Sequence, residues 1–245
     1  MGLIMDYISI LAGGACKFNC SFCIGNSIRE NVTPHYSSKL KSFLECYADT
    51  TNLLSVSGDT SDPCFIQETD DIPVIAKKIN SNIKVSIHTR NTDTRILEKY
   101  LICNYDKIVV SIDEKFFDNL YDEDMLWYRR TAREKKLRFS IVLTSYNHKH
   151  FCKKDGIISK IVETFPGAQI TLRPNVFEED CWIETFADDL GTWMDNINGS
   201  KTLEENTNIV FWNYSKTNPN IDALYLFSNG TIDNNCKWQN LKENL

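Results

Sequence analysis

Through the first 175 residues, short apolar runs alternate with stretches whose apolar residues recur at helical spacing. The runs are Tyr7 to Leu11, Asn52 to Ser57, Lys84 to His88, Ile108 to Ile112, Arg138 to Leu143 and Gln169 to Leu172. Short runs bounded by turn residues read as strands, and the longer periodic stretches between them as helices. Those helices are predicted at Tyr36 to Tyr47, Asp71 to Asn80, Thr94 to Cys103, Phe116 to Lys136 and Gly156 to Phe165. Strands separated by helix-length connectors imply a parallel sheet with right-handed crossovers. Six such repeats are too few to close an eight-stranded barrel. The expected fold is therefore α/β, an open (βα)6 partial TIM-type barrel, with ligands at the carboxyl ends of its strands.

Residues 176–245 break the alternation. Trp182 to Ile197 carries an apolar stripe (Trp182, Phe186, Leu190, Trp193, Ile197) and predicts an amphipathic helix. Ile209 to Trp212 reads as a strand, and Leu224 to Ile232 as a hairpin across Asn229-Gly230, a pair suited to a type I′ turn. The expected organisation is a core over 1–175 and a mixed C-terminal extension over 176–245 that packs on it and covers its open side.

The first predicted strand leads into Cys16-Lys17-Phe18-Asn19-Cys20-Ser21-Phe22-Cys23, a C-x3-C-x2-C spacing. A closed electron-transfer cluster has four Cys ligands; three on one loop leave a fourth iron open to an outside ligand. A competing reading is a zinc site using these thiolates and His35, although zinc more often pairs two C-x2-C units or Cys with His.

The spacing, with Phe22 just before the last Cys, resembles the radical S-adenosylmethionine (radical SAM) superfamily over roughly residues 5 to 175. The resemblance implies a [4Fe-4S] cluster on Cys16, Cys20 and Cys23. Its open iron would chelate SAM, and an electron would release a 5′-deoxyadenosyl radical that takes hydrogen from a substrate. Phe22 would sit near the adenine. Ser57-Gly58-Asp59-Thr60 stands where the family carries a Gly-Gly-Glu type loop for the SAM amino group. Here Ser57 replaces the first Gly and Asp59 the Glu, so Thr60 or Asp62 would share the work. An ordinary strand-to-helix turn is the plainer reading of that stretch.

Ser111 and Asp113, ending the fourth strand, would meet the ribose, or Asp113 would cap the next helix. Arg173, and alternatively Arg90, would pair with the SAM carboxylate or contact substrate, since guanidinium binds carboxylates in bidentate fashion. Ile141 would touch adenine. Cys64 is read as core or as a hydrogen donor to a substrate radical.

Composition narrows the setting. Nine cysteines in a sequence with no signal-like N-terminus fit a reducing cytoplasm, where clustered thiols mean metal rather than bridges. No stretch has the length and apolarity of a membrane span. The net charge of −6 argues against a nonspecific nucleic-acid binder. The one basic run, Arg129 to Arg138, reads as a helix end complementing the dipole, with contact to a phosphate-bearing substrate as the alternative. Cys152, Cys181 and Cys236 are too scattered to indicate a second cluster. The expected partners are an unidentified substrate, a small molecule or nucleotide rather than a peptide, and an electron donor such as a flavodoxin or ferredoxin. The other expectation is a noncatalytic metal-binding module.

Overall fold

The computed structural model describes residues 5–18, 20, 23, 36–58, 61–153, 155–175, 190–196, 200–212, 223–227 and 229–234. The fold is mixed α/β with an open, largely parallel sheet. The chain forms two compact units: Met1–Asn91, Arg95–Ile108 and Ile221–Leu245 make the first, and Thr92–Thr94 with Val109–Asn220 the second.

In the first unit, β1 (Tyr7–Ala12), β2 (Leu53–Gly58) and β3 (Lys84–Thr89) run parallel in sequence order. Their register aligns Ile8 with Leu54 and Val85, and Ile10 with Val56 and Ile87, all buried. These side chains share one sheet face, because strand residues alternate sides. Buried positions at helical spacing supply matching apolar faces: Leu40, Phe43 and Leu44 on α1 (Tyr36–Tyr47), Ile72 and Ala76 on α2 (Ile72–Ile79), and Leu97 and Tyr100 on α3 (Thr94–Ile102). The opposite sheet face carries a row of hydroxyls, Ser9, Ser55 and Ser86, in register.

Asp106 ties the lower end of this unit together. Its carboxylate accepts from the Val85 amide at 2.9 Å and pairs with Lys77 Nζ on α2 at 2.8 Å and Lys84 Nζ at 3.4 Å. Burial alone would raise its pKa; the Lys77 hydrogen bond, the Val85 amide and the two lysine charges outweigh that and lower it. A carboxyl whose folded pKa lies below its unfolded value, about 3.9, stabilises fully above that value and loses its contribution as pH falls through the folded pKa. Asp106→Asn should therefore cost about 1–3 kcal/mol at pH 7, the range for hydrogen bonds to charged groups. In urea titrations the gap from the wild type should close on acidification below about pH 4. A gap that persisted unchanged at low pH would rule this account out.

In the second unit, β4 (Lys107–Ser111; Val109 onward), β5 (Leu137–Leu143) and β6 (Gln169–Pro174) again follow sequence order. Phe139 on β5 packs against Tyr128 of α4 (Asp122–Arg133), Phe116 and Phe165, with ring centroids 5.8, 5.3 and 5.6 Å away. The predicted long helix from Phe116 to Lys136 is divided. A 3-10 turn over Phe116–Asn119 precedes α4, which begins where the Tyr121 amide donates to Asp124 at 3.1 Å and Asp122, Glu123 and Asp124 fill the first turn. Acidic groups there complement the helix dipole. The short α5 (His148–Phe151) and α6 (Ile157–Thr164) connect β5 to β6.

The C-terminal extension adds strands to both units. In the second, β9 (Ile209–Phe211) lies parallel to β6, followed by β8 (Lys201–Leu203) and β7 (Trp193–Asp195), both antiparallel. Trp193–Asp195 thus corrects the helix expected through Ile197. Asn196 explains the switch: its amide donates to the Ser200 carbonyl at 2.8 Å, and its side chain donates to Ser200 Oγ and Thr202 Oγ1, closing a hairpin. Residues 182–189 of that expected helix lie outside the described residues. In the first unit, β10 (Ala223–Leu226) runs parallel to β1 and turns through Asn229-Gly230 into β11 (Ile232–Asp233), the expected hairpin, but Asn229 lacks the positive φ that a type I′ turn requires. Gly230 has φ 78°, which explains a glycine there. No described helix is long and apolar enough to cross a membrane.

Candidate functional site

The cysteine loop leaves the carboxyl end of β1 at Ala12, which stands opposite Gly58, the last residue of β2. Cys16, Cys20 and Cys23 are all reduced and half-buried, and the Cys23 amide donates to the Cys20 carbonyl at 3.1 Å. Burial pushes the Cys20 thiol up; the Arg90 guanidinium opposes this, while Cys23, Cys16 and Asp62 push it further. The Cys20 thiol therefore feels the charge of both other cysteines, with an arginine beside it. Among the described residues no three His, Cys, Asp or Glu side chains converge on a single metal ion.

The turn after β2 is built around close contacts of its own backbone. A Cβ on Gly58 would lie 2.4 Å from the Ser61 carbonyl oxygen, so the glycine admits that carbonyl rather than a ligand. Ser61 is buried and stitches the turn to the cysteine segment: its amide donates to the Ala12 carbonyl at 3.3 Å, and its hydroxyl to the Ala15 carbonyl at 3.4 Å. The turn after β2 and the loop bearing Cys16 thus form one piece.

Asp62 clasps the third strand to the same piece. It is 8% exposed and accepts from the Cys64 amide at 2.9 Å, the Thr89 hydroxyl at 2.6 Å and the Arg90 amide at 2.6 Å. Three such donors occupy both oxygens, which makes Asp62 a positioning residue. Its signal was present in the sequence: Asp62 directly before Pro63 is a capping residue followed by proline at the first turn position. Ser61 and Thr89, the other parts of the clasp, carry no motif of their own.

Cys64 sits in the turn Pro63–Phe65, and burial, then the charge and hydrogen bond of Asp62, push its thiol up to about 12, against opposing hydrogen bonds from Asn91 and Thr89. It is held as a neutral thiol. Phe65 beside it packs on Phe18 of the cysteine loop, with centroids 5.2 Å apart, and also lines a cavity of about 320 Å³ with Cys64, Lys99 and Tyr100.

Of the other expected site residues, Ser57 is half-buried at the end of β2, opposite Leu11. Phe22, Asp59, Thr60 and His35 lie outside the described residues, as do Cys181 and Cys236. Ser111 and Asp113 belong to the second unit, where the Asp113 carboxylate accepts from the Lys115 amide at 3.0 Å and so caps a turn. Ile141 is fully buried on the face of β5 shared with Phe139, which makes it core rather than an adenine contact. The basic run separates: Arg129 Nε donates to the Thr164 carbonyl at 3.2 Å, Lys136 pairs with Glu134 at 2.9 Å, and Arg138 lies on β5.

No family model matches this chain, and no curated protein matches it either. Solved structures do. SuiB from Streptococcus suis bound to S-adenosylmethionine matches with a TM-score of 0.62 at 15% identity, covering 94% of this chain and 60% of SuiB. SuiB bound to its precursor peptide SuiA matches with a TM-score of 0.63 at 16% identity, covering 96% and 60%. The chain shares the fold of these structures, and SuiB is a radical SAM enzyme. This chain spans about 60% of the length of SuiB. Within this shared fold, the three-cysteine loop follows β1 and the Gly58 turn follows β2.

Proposed function

We propose that this chain is a radical SAM enzyme whose Cys16, Cys20 and Cys23 hold a [4Fe-4S] cluster. The observation that carries the reading is a loop of three half-buried cysteines at the carboxyl end of β1 in this fold. Bound there by Cys16, Cys20 and Cys23, the cluster would supply the reducing electron for SAM cleavage and, through it, radical hydrogen-abstraction chemistry. The protein's part is to bind, orient and shield.

Arg90 offsets the negative charge that thiolate ligation gathers on the cysteine loop. The Ser61 bonds fix that loop to the turn after β2, and Asp62 clasps the end of β3 to the same turn. Ser57, Asp59 and Thr60, beside Gly58 in the sequence, receive the SAM amino group, and Phe22 flanks the adenine. The neutral Cys64 thiol takes no part as a nucleophile, because the thiolate is the reactive form. The electron comes from a flavodoxin or ferredoxin in the cytoplasm, and the substrate is a small molecule or nucleotide. The fold shared with peptide-bound SuiB favours a peptide as the second reading.

Anaerobic reconstitution should give a brown protein with about four irons per chain, the complement of one such cluster. With SAM and dithionite it should release 5′-deoxyadenosine. A colourless protein holding one zinc would favour the noncatalytic module instead, and iron-loaded protein inert toward SAM under every reductant tried would sink the enzyme reading.

A further inference from the structure

The second unit presents a strand face whose chemistry the cofactor does not absorb. The register of β5 and β6 pairs Arg138 with Gln169, Ser140 with Thr171 and Val142 with Arg173. Alternation puts these six side chains on the face opposite Phe139, Ile141 and Leu172. The face holds two guanidiniums, two hydroxyls, one amide and no carboxylate. This is unusual for a chain with 33 acidic and 27 basic residues.

Each arginine lacks an anionic partner on its own face. Arg138 places Nε and one terminal nitrogen on the Gln169 side-chain oxygen, at 3.3 and 3.1 Å, and burial lowers its pKa. Arg173, at the carboxyl end of β6, has a buried Nε with no hydrogen-bond partner. A buried N–H left without an acceptor is costly, and most such groups in native proteins are satisfied. The backbone on both sides is pinned, since the Asn175 amide donates to the Leu143 carbonyl at 2.9 Å and the Trp212 amide to the Leu172 carbonyl at 2.8 Å. Arg173 is thus held at a ligand-binding strand end with an acceptor missing.

We propose that this face binds an anionic group of the substrate, a carboxylate or phosphate, with Arg173 as its anchor and Thr171 and Ser140 donating beside it. The proposal rests on the reading of the strand ends as the ligand-binding end, and it narrows the substrate to an anionic molecule. Guanidinium fits either oxyanion in a two-pronged geometry that lysine does not reproduce. The SAM carboxylate offers the same chemistry, so the two sources must be separated.

The test uses the full-length protein, with inorganic phosphate and SAM as separate probes in equilibrium binding, comparing wild type with Arg173→Gln and Arg173→Lys. The phosphate measurement is made without SAM or iron, so it remains informative even if the protein never cleaves SAM. The wild type should bind phosphate. Arg173→Gln should weaken that binding about tenfold or more, as expected for losing a hydrogen bond to a charged group. Arg173→Lys, which keeps the charge, should fall between them and guards against a Gln variant that fails to fold. SAM affinity of reconstituted protein should stay within about twofold in both variants, well short of the change expected from a lost charged contact. If SAM affinity falls tenfold while phosphate binding is unchanged, Arg173 serves the cofactor and the proposal is overturned. It is equally overturned if the wild type does not bind phosphate, or if all three proteins bind it alike.

Discussion

Cys20→Ser is expected to leave anaerobically reconstituted protein with under about one iron per chain, against about four in the wild type, and to abolish 5′-deoxyadenosine formation. Cys20 is the middle cysteine of the loop and the one whose thiol feels Arg90, Cys23, Cys16 and Asp62 together. A serine oxygen at that place is a harder, weaker ligand for cluster iron than a thiolate. The thiol is half-buried, so the smaller side chain also leaves a gap at the loop. Cys46→Ser is the control, because Cys46 is exposed on α1 and stands outside the loop. It should keep iron and turnover at the wild-type level. Full iron and full turnover in Cys20→Ser would remove the cluster assignment, whatever the fold.

The same loop shows how far the sequence could be read. The strands from β1 to β6 were legible because buried parallel strands are short apolar runs, and Ile8, Leu54 and Val85 stand in one register. The C-x3-C-x2-C spacing was legible because its ligands are adjacent in sequence. Trp193–Asp195 was not, since its apolar stripe suits a helix and the deciding contacts to Ser200 and Thr202 come from the far side of a turn. The place of β10 beside β1 was equally hidden, because the pairing of Tyr7 with Ala223 joins positions far apart in the chain.

The close approach at Gly58 was not legible in the sequence. Its neighbour is the Ser61 carbonyl, a contact set by how the turn folds back. The unsatisfied Arg173 Nε and the carboxylate-free face around it follow from strand register, which local pattern does not specify between distant segments.

Asp62→Ala is expected to cost about 3–5 kcal/mol, because it orphans donors that each lose roughly 1–3 kcal/mol when left unpaired in a buried site. Those donors are the Cys64 amide, the Thr89 hydroxyl and the Arg90 amide, and the Asp62 residue is only 8% exposed. Asp62→Asn keeps one acceptor oxygen and should lose about half as much. Urea unfolding of the iron-free protein reads this directly, and an Ala variant within about 0.5 kcal/mol of wild type would mean the clasp holds nothing. Function should fall with it: SAM affinity is expected to drop more than tenfold while the three cysteines still take iron, since Asp62 fixes the strand ends rather than the thiols.

Gly58→Ala reaches the same turn from the other side, forcing the Ser61 carbonyl away from a Cβ that would sit at 2.4 Å. If the turn acts as one piece, the double variant should lose clearly less stability than the sum of the two single losses, because residues sharing a network are not additive. Strict additivity would instead make the Gly58 turn and the Asp62 clasp independent, and the cysteine loop would then be anchored through Ser61 alone.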